Sequence, residues 1–310
     1  MRLILVGLLT FVTTFYGHST PIHFSAAVSI NGINQWIKAD GVSDENPMLL
    51  FLHGGPGGSV MGYADRFSNE LKNHFIVIQW DQRETGKTKL LNHSDVPLTV
   101  ALFEADVVAV IHYLQEKFHQ EKIYLVGHSW GGFLALYVAA RNPALIGACV
   151  AASPMVYQEE SERMTLAKMK QLAADENNSE ATRELAAIKI PFENGTQLYY
   201  QRKWLYRLIN RQKPPFTQHY VEDWSATWLS LFNEASAISF FESAPEIKCQ
   251  VYFLAGAHDY QTNFNLTKSY FEKVKAEKKE LFWFSNSAHG LNLTESKKFQ
   301  NTIIQIRNQK

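Results

Sequence analysis

The chain has 310 residues, of which 46% are hydrophobic, 13% aromatic and 19% charged, with seven Trp and twenty Phe that need burial. That composition excludes a disordered or collagen-like chain, because seventeen Gly and ten Pro are ordinary numbers for this length. Thirty Lys+Arg balance thirty Asp+Glu, so there is no basic excess of the kind that holds nucleic acid, and two Cys cannot build a disulfide framework or a four-thiolate zinc site.

In chain order, the first segment is Arg2 followed by an apolar run from Leu3 to Tyr16 and small residues at Gly17 and Ser19. A cation, a short apolar stretch and small residues before a cut are the layout of a secretory signal peptide, predicted over residues 1–19, with export to a periplasm or beyond. The run is shorter than the roughly 20 apolar residues of a membrane span, so no stable membrane association is expected after cleavage.

From about Ile30 onward short apolar runs alternate with helical periodicity. Met48–His53, Phe75–Trp80, Ile123–Gly127, Gly147–Ala152, Gln250–Ala255 and Leu281–Phe284 read as buried strands. Between them, Val100–His119 repeats apolar residues every three or four positions behind a Thr99 N-cap, and Trp130–Arg141 is a helix stopped by Asn142-Pro143. A last helix is predicted over Thr294–Arg307. This alternation predicts an α/β fold with a mostly parallel sheet covered on both faces, built from residues 20–153 and 247–310. Residues 154–246 lack the alternation and read as a helical insertion.

The sharpest chemical signal is Gly127-His128-Ser129-Trp130-Gly131, a G-x-S-x-G placed directly after one strand and directly before a helix. Glycines permit so abrupt a turn, because side chains at 127 and 131 would collide across it, and the turn lifts Ser129 Oγ clear of the sheet. A nucleophilic serine needs a base, and the base needs an orienting acid. Of eleven histidines, His289 follows the last strand, and Asp259 follows the strand before it. The order Ser129, Asp259, His289 is that of the α/β-hydrolase triad. His258 is the rival base, disfavoured because it shares the acid's own loop. His53-Gly54-Gly55-Pro56-Gly57-Gly58 follows another strand, and its glycines allow backbone N–H groups to approach an oxyanion. Gly55, with Gly54 beside the substrate, and the N–H of Trp130 are the expected donors. Neither phosphate-loop pattern, G-x-x-x-x-G-K-[ST] or G-x-G-x-x-G, is present in that loop.

HGGPGG, the run Trp80-Asp81-Gln82-Arg83 and GHSWGG together resemble the prolyl iminopeptidase branch of the α/β hydrolases, from about Ile30 to the C-terminus. The resemblance implies a serine aminopeptidase acting on small peptides, with residues 154–246 as a helical cap whose carboxylates hold the substrate ammonium. The chain departs from the family pattern twice: Glu84-Thr85-Gly86 follows WDQR, and Asn233-Glu234 stands where the family has Trp-Glu. By that position Glu234 is the expected ammonium ligand, ahead of Glu222 and Asp223. An esterase or lipase-like activity on the same triad, or a ligand receptor on a hydrolase fold, are the alternatives. Dehalogenase and epoxide-hydrolase chemistry needs an Asp where Ser129 stands. No metal and no cofactor are expected, Cys149 and Cys249 are expected to be buried thiols, and Lys273–Glu280 reads as a solvated helix face.

Overall fold

In the computed structural model, which describes residues 20–92 and 94–309, the first element is an antiparallel hairpin of β1 (Ile22–Ile30) and β2 (Ile33–Gly41). The expected signal segment lies outside the described residues. β3 (Met48–Leu52) and β4 (Ile76–Asp81) follow, with the short helix α1 (Asp65–Ser68) between them and α2 (Gly86–Leu91) after. Then come α3 (Val100–Phe118), β5 (Ile123–His128), α4 (Trp130–Arg141) and β6 (Ile146–Ala152). Thr99 caps α3 as expected, its hydroxyl accepting from the Leu102 N–H at 3.2 Å.

After β6 the chain is helical: α5 (Gln158–Asp175), α6 (Ser179–Ala186), α7 (Gly195–Trp204), a π-helical turn over Leu205–Ile209, α8 (Gln218–Ala237) and α9 (Phe240–Ser243). It returns through β7 (Glu246–Ile247), β8 (Gln250–Gly256), α10 (Phe264–Lys273), β9 (Lys275–Ala276) and β10 (Lys279–Phe284). It closes with α11 (Leu291–Thr294) and α12 (Ser296–Asn308). The central sheet has the order β1-β2-β4-β3-β5-β6-β8-β10, parallel from β4 through β10.

Both faces of this sheet are buried, which is why its inner strands are continuous apolar runs. Leu50 and Leu52 of β3 point into one core with Val107, Ile111 and Leu136 from α3 and α4. Leu49 and Phe51 point into the other with Phe67, Phe299 and Ile303 from α1 and α12. Cys149 and Cys249 are buried free thiols, and burial pushes Cys249 up to about 12. Among the described residues no helix is long and apolar enough to cross a membrane.

Two sequence expectations are corrected. Lys273–Glu280 is not a helix face: α10 ends at Lys273 and Lys279 begins β10, pairing with Val251 of β8. Lys279 Nζ instead donates to the carbonyls of Phe271, Glu272 and Val274, where a cation suits the negative end of α10. The last helix is also interrupted, because Glu295 leaves helical geometry between α11 and α12. Its carboxylate accepts from the Asn286 N–H and the Ser287 hydroxyl, tying down the loop that carries His289.

Candidate active site

Four loops at the C-terminal ends of parallel strands converge on one point: those after β3, β5, β8 and β10. Ser129, between β5 and α4, has φ +58° and ψ −117°, a conformation L-residues rarely adopt. The neighbouring glycines make it attainable, since a Cβ on Gly127 would overlap the Gly131 carbonyl, and one on Gly131 the Leu52 carbonyl. The Ser129 N–H still completes the ladder to the Ala152 carbonyl at 2.9 Å. The strained turn is thus held by the sheet on one side and by α4 on the other.

Ser129 Oγ lies 2.9 Å from His289 Nε2, and His289 Nδ1 lies 3.0 Å from Asp259 Oδ2. With Nδ1 donating to the carboxylate, Nε2 is the acceptor for the serine hydroxyl. Asp259 is 2% exposed. Burial opposes its charge, but the His289 ring and the Thr262 N–H more than offset this and hold the carboxyl well below the usual carboxylate range. Asp259 Oδ1 accepts from the N–H groups of Gln261 and Thr262 at 2.9 and 3.1 Å. The rival His258 is exposed, and its backbone N–H donates to the Ser287 carbonyl at 3.1 Å.

His128, within the elbow, holds the backbone of His289. Its Nε2–H donates to the His289 carbonyl at 2.8 Å, and the two rings lie 5.0 Å apart. Burial, and then the neighbouring His289, push His128 down to about 4. The unfolded chain takes up this proton near pH 6.5, while the folded chain resists it until about pH 4. Stability from this group is therefore complete above pH 6.5 and is lost as pH falls to about 4, by roughly 3 kcal/mol in all. His128→Gln, which keeps a donor for the His289 carbonyl, should flatten that limb in urea unfolding measured from pH 7 to 4. An unchanged slope would assign it to another group.

The HGGPGG loop is held from beneath. Buried His53 accepts the Gln82 N–H on Nε2 at 3.2 Å, and Gln82 Nε2 donates to the His53 carbonyl at 3.2 Å. Gln82 Oε1 in turn accepts from Trp130 Nε1 at 2.9 Å, so one side chain joins the loop to the start of α4. Asp81 and Arg83 of the same run are also structural. Asp81 accepts from Ser59 and the Lys87 N–H, and Arg83 pairs with buried Asp106 at 2.9 and 3.0 Å. Gly54 packs against His128 and Ser129, and Gly55 borders the same cavity as Ser129. Trp130 is the first residue of α4, where helical N–H groups have no intrahelical acceptor. Gly55 and the first turn of α4 thus lie on either side of Ser129.

Beside these loops the helical segment helps to wall an open cavity of about 290 Å³ that Ser129, His289 and Gly55 also line. Leu198, Val221, Trp224 and Phe232 supply apolar walls, and Trp224 Nε1 donates to the Pro56 carbonyl at 2.9 Å, fastening α8 to the glycine loop. The first turns of α5 grip the acid loop: Ser161 Oγ accepts from the Asn263 N–H at 2.8 Å, and Thr165 donates to the Tyr260 carbonyl at 2.6 Å.

Glu234 does not reach this cavity. Phe232 faces it, and two helical residues further on the chain has turned by about 200°. Glu234 is exposed, and both its carboxylate oxygens lie 3.2 Å from the Val100 N–H at the positive end of α3. Glu222 is engaged by Thr196 and Gln218, and Asp223 pairs with His219. Glu234→Gln should accordingly leave KM for free-amine and N-acylated substrates unchanged within about twofold, while costing at most about 1 kcal/mol of stability. A selective rise in KM for free amines would return Glu234 to the site.

A second buried acid lies beside the cavity and was not among the sequence expectations. Glu162 is 2% exposed and receives four hydrogen bonds: from Gln158 and Arg202 on Oε1, from Gln201 and Arg202 on Oε2, at 2.5–2.8 Å. Gln158 and Arg202 border the cavity, whereas Glu162 stands behind them. The i,i+4 spacing of Gln158 and Glu162 on a helix directly after β6 was the available signal. Among the described residues no group of three His, Cys, Asp or Glu is placed to hold a metal ion.

The chain is 29% identical over 309 residues to the probable aminopeptidase YbaC of Bacillus subtilis (strain 168), covering 89% of this chain and 93% of that one. It is 25% identical over 256 residues to a proline iminopeptidase of Heyndrickxia coagulans, covering 78% and 83%. The crystal structure of a proline iminopeptidase from Mycobacterium smegmatis superposes with a TM-score of 0.65 at 20% identity, covering 92% of this chain and 98% of that one. The likeness to prolyl iminopeptidases read from HGGPGG, WDQR and GHSWGG is thus shared at the level of whole chains. A family model described as the alpha/beta hydrolase fold matches residues 47–268, well over half the sequence, and with the sheet order and converging loops above it establishes that this chain belongs to the α/β-hydrolase fold family.

Proposed function

We propose that this chain is a serine hydrolase that cleaves small amides or esters by acyl transfer. The observation that carries the reading is the unbroken run from Ser129 Oγ through His289 to the Asp259 carboxylate, at 2.9 and 3.0 Å. Ser129 Oγ attacks the substrate carbonyl carbon as His289 Nε2 takes its proton. The resulting oxyanion is met by the N–H groups of Gly55 and Trp130. His289 returns the proton to the leaving group, and the acyl–Ser129 ester is then hydrolysed by water activated at the same nitrogen. Asp259, kept ionised, stabilises the imidazolium in both half-reactions.

A narrower reading is an aminopeptidase of the prolyl iminopeptidase type, and the observation favouring it is the near-full-length match to a probable aminopeptidase. The two separate on a panel of a proline arylamide, an alanine arylamide and a short-chain aryl ester. Turnover of the arylamides with a free N-terminus supports the narrower reading, whereas turnover of the ester alone leaves the broader one. No turnover of any of the three, together with no labelling by a serine-reactive phosphonate, would remove both.

A further inference from the structure

Asp259 is held at both carboxylate oxygens, and one residue supplies a donor to each. Thr262 is 4% exposed. Its backbone N–H donates to Asp259 Oδ1 at 3.1 Å, and its hydroxyl donates to Asp259 Oδ2 at 2.9 Å. The same Oγ1 lies 2.9 Å from the Ser153 carbonyl and 3.3 Å from His289 Nδ1. Nδ1 carries its own proton toward Oδ2, so the single hydroxyl proton chooses between the Ser153 carbonyl and the carboxylate. At equal distance the charged acceptor is the stronger.

A carboxylate held at one oxygen can pivot about it, whereas one held at both has its plane fixed. Oδ1 is held by the N–H groups of Gln261 and Thr262. Among the described residues Oδ2 meets the Thr262 hydroxyl and His289. Without the hydroxyl, Oδ2 would be placed by the very ring it has to orient. The path of the loop does not depend on that hydroxyl. Its two neighbours are clamped by α5, the Gln261 carbonyl by Gln158 Nε2 at 2.7 Å and the Asn263 N–H by Ser161 Oγ at 2.8 Å.

We infer that Thr262 is a positioning residue for catalysis, whose hydroxyl pins Asp259 Oδ2 at the edge of the His289 ring and so keeps Nε2 aligned on Ser129. The inference rests on the acyl-transfer reading of the triad. Threonine suits the task, because branching at Cβ restricts χ1 and holds the hydroxyl toward the pair at little cost in side-chain freedom. The backbone N–H of the same residue meets the other oxygen, so both ends of the acid are referred to one rigid point of the loop.

Thr262→Val removes the hydroxyl and keeps the N–H and a branched side chain of nearly the same shape. On 4-nitrophenyl butyrate its kcat should fall about tenfold with KM within about twofold, and inactivation by a serine-reactive phosphonate should slow by a similar factor. The deficit should persist on the alkaline plateau of the pH profile, where His289 is neutral in both proteins, because alignment rather than protonation is lost. Thr262→Ser, which keeps the hydroxyl and loses the methyl, should recover most of the parent kcat. A packing role gives the reverse order, with valine the milder change, and a loop-holding role lowers the unfolding midpoint at unchanged kcat. Either result, a serine variant no better than valine, or a rise in KM at unchanged kcat overturns the inference. If Thr262→Val does not fold, neutron diffraction of the wild type decides: the hydroxyl deuteron should point at Asp259 Oδ2, and one pointing at the Ser153 carbonyl overturns the inference. Ester hydrolysis that survives Ser129→Ala overturns the acyl-transfer reading instead.

Discussion

Ser129→Ala is expected to lower turnover by roughly 10⁴–10⁶, with the fold retained. Among the described residues the side chain is hydrogen-bonded to His289 Nε2, and the residue is 6% exposed, so its loss removes a nucleophile and little packing. Among the described residues, the one other hydroxyl bonded to the His289 ring cannot substitute. Thr262 Oγ1 approaches His289 at 3.3 Å, but at Nδ1, on the carboxylate side of the ring. The positive φ at position 129 is imposed by the β5 ladder and by α4, and alanine bears that strain about as serine does. Unfolding midpoint and circular dichroism should therefore match the parent. A serine-reactive phosphonate should modify Ser129 alone, read by peptide mass spectrometry. An active alanine variant, or label at another residue, removes the assignment.

Ser129, Asp259 and His289 were legible because each follows a strand. An apolar run bounded by turn residues marks a strand end, and in a parallel sheet those ends share one edge. The elbow added a steric signature, two glycines at 127 and 131 where backbones cross. The cap could not be read in the same way. Its polar cluster joins Gln158 and Glu162 on α5 to Gln201 and Arg202 on α7, about forty positions away, with no local pattern to announce the pairing. Position along the chain points to Glu234, but on a helix two residues' displacement reverses the face, and the positive end of α3 claims that carboxylate. The hairpin β1–β2 was signalled yet unread. Asn31-Gly32, both at positive φ, is the two-residue turn between strands of alternating polarity, and strands exposed on one face carry no continuous apolar run.

Asp259→Asn should cost about 10⁴ in turnover by analogy with serine proteases, and the surroundings explain why an isosteric change is so damaging. The carboxylate uses Oδ1 for the Gln261 and Thr262 N–H groups and Oδ2 for His289. In the amide variant those two backbone donors claim the carbonyl oxygen, which leaves the NH₂ group facing the imidazole. Nδ1 must then accept rather than donate, so the ring's proton moves to Nε2. That nitrogen can no longer take the Ser129 proton. The negative charge that stabilised the imidazolium is lost as well, so raising the pH will not restore the rate. His258→Ala, on the exposed neighbour of the acid, should change turnover by less than about threefold, whereas His289→Ala should fall with Ser129→Ala because the two act as a unit. Equal damage from the two histidine changes in steady-state kinetics would transfer the role of base to His258.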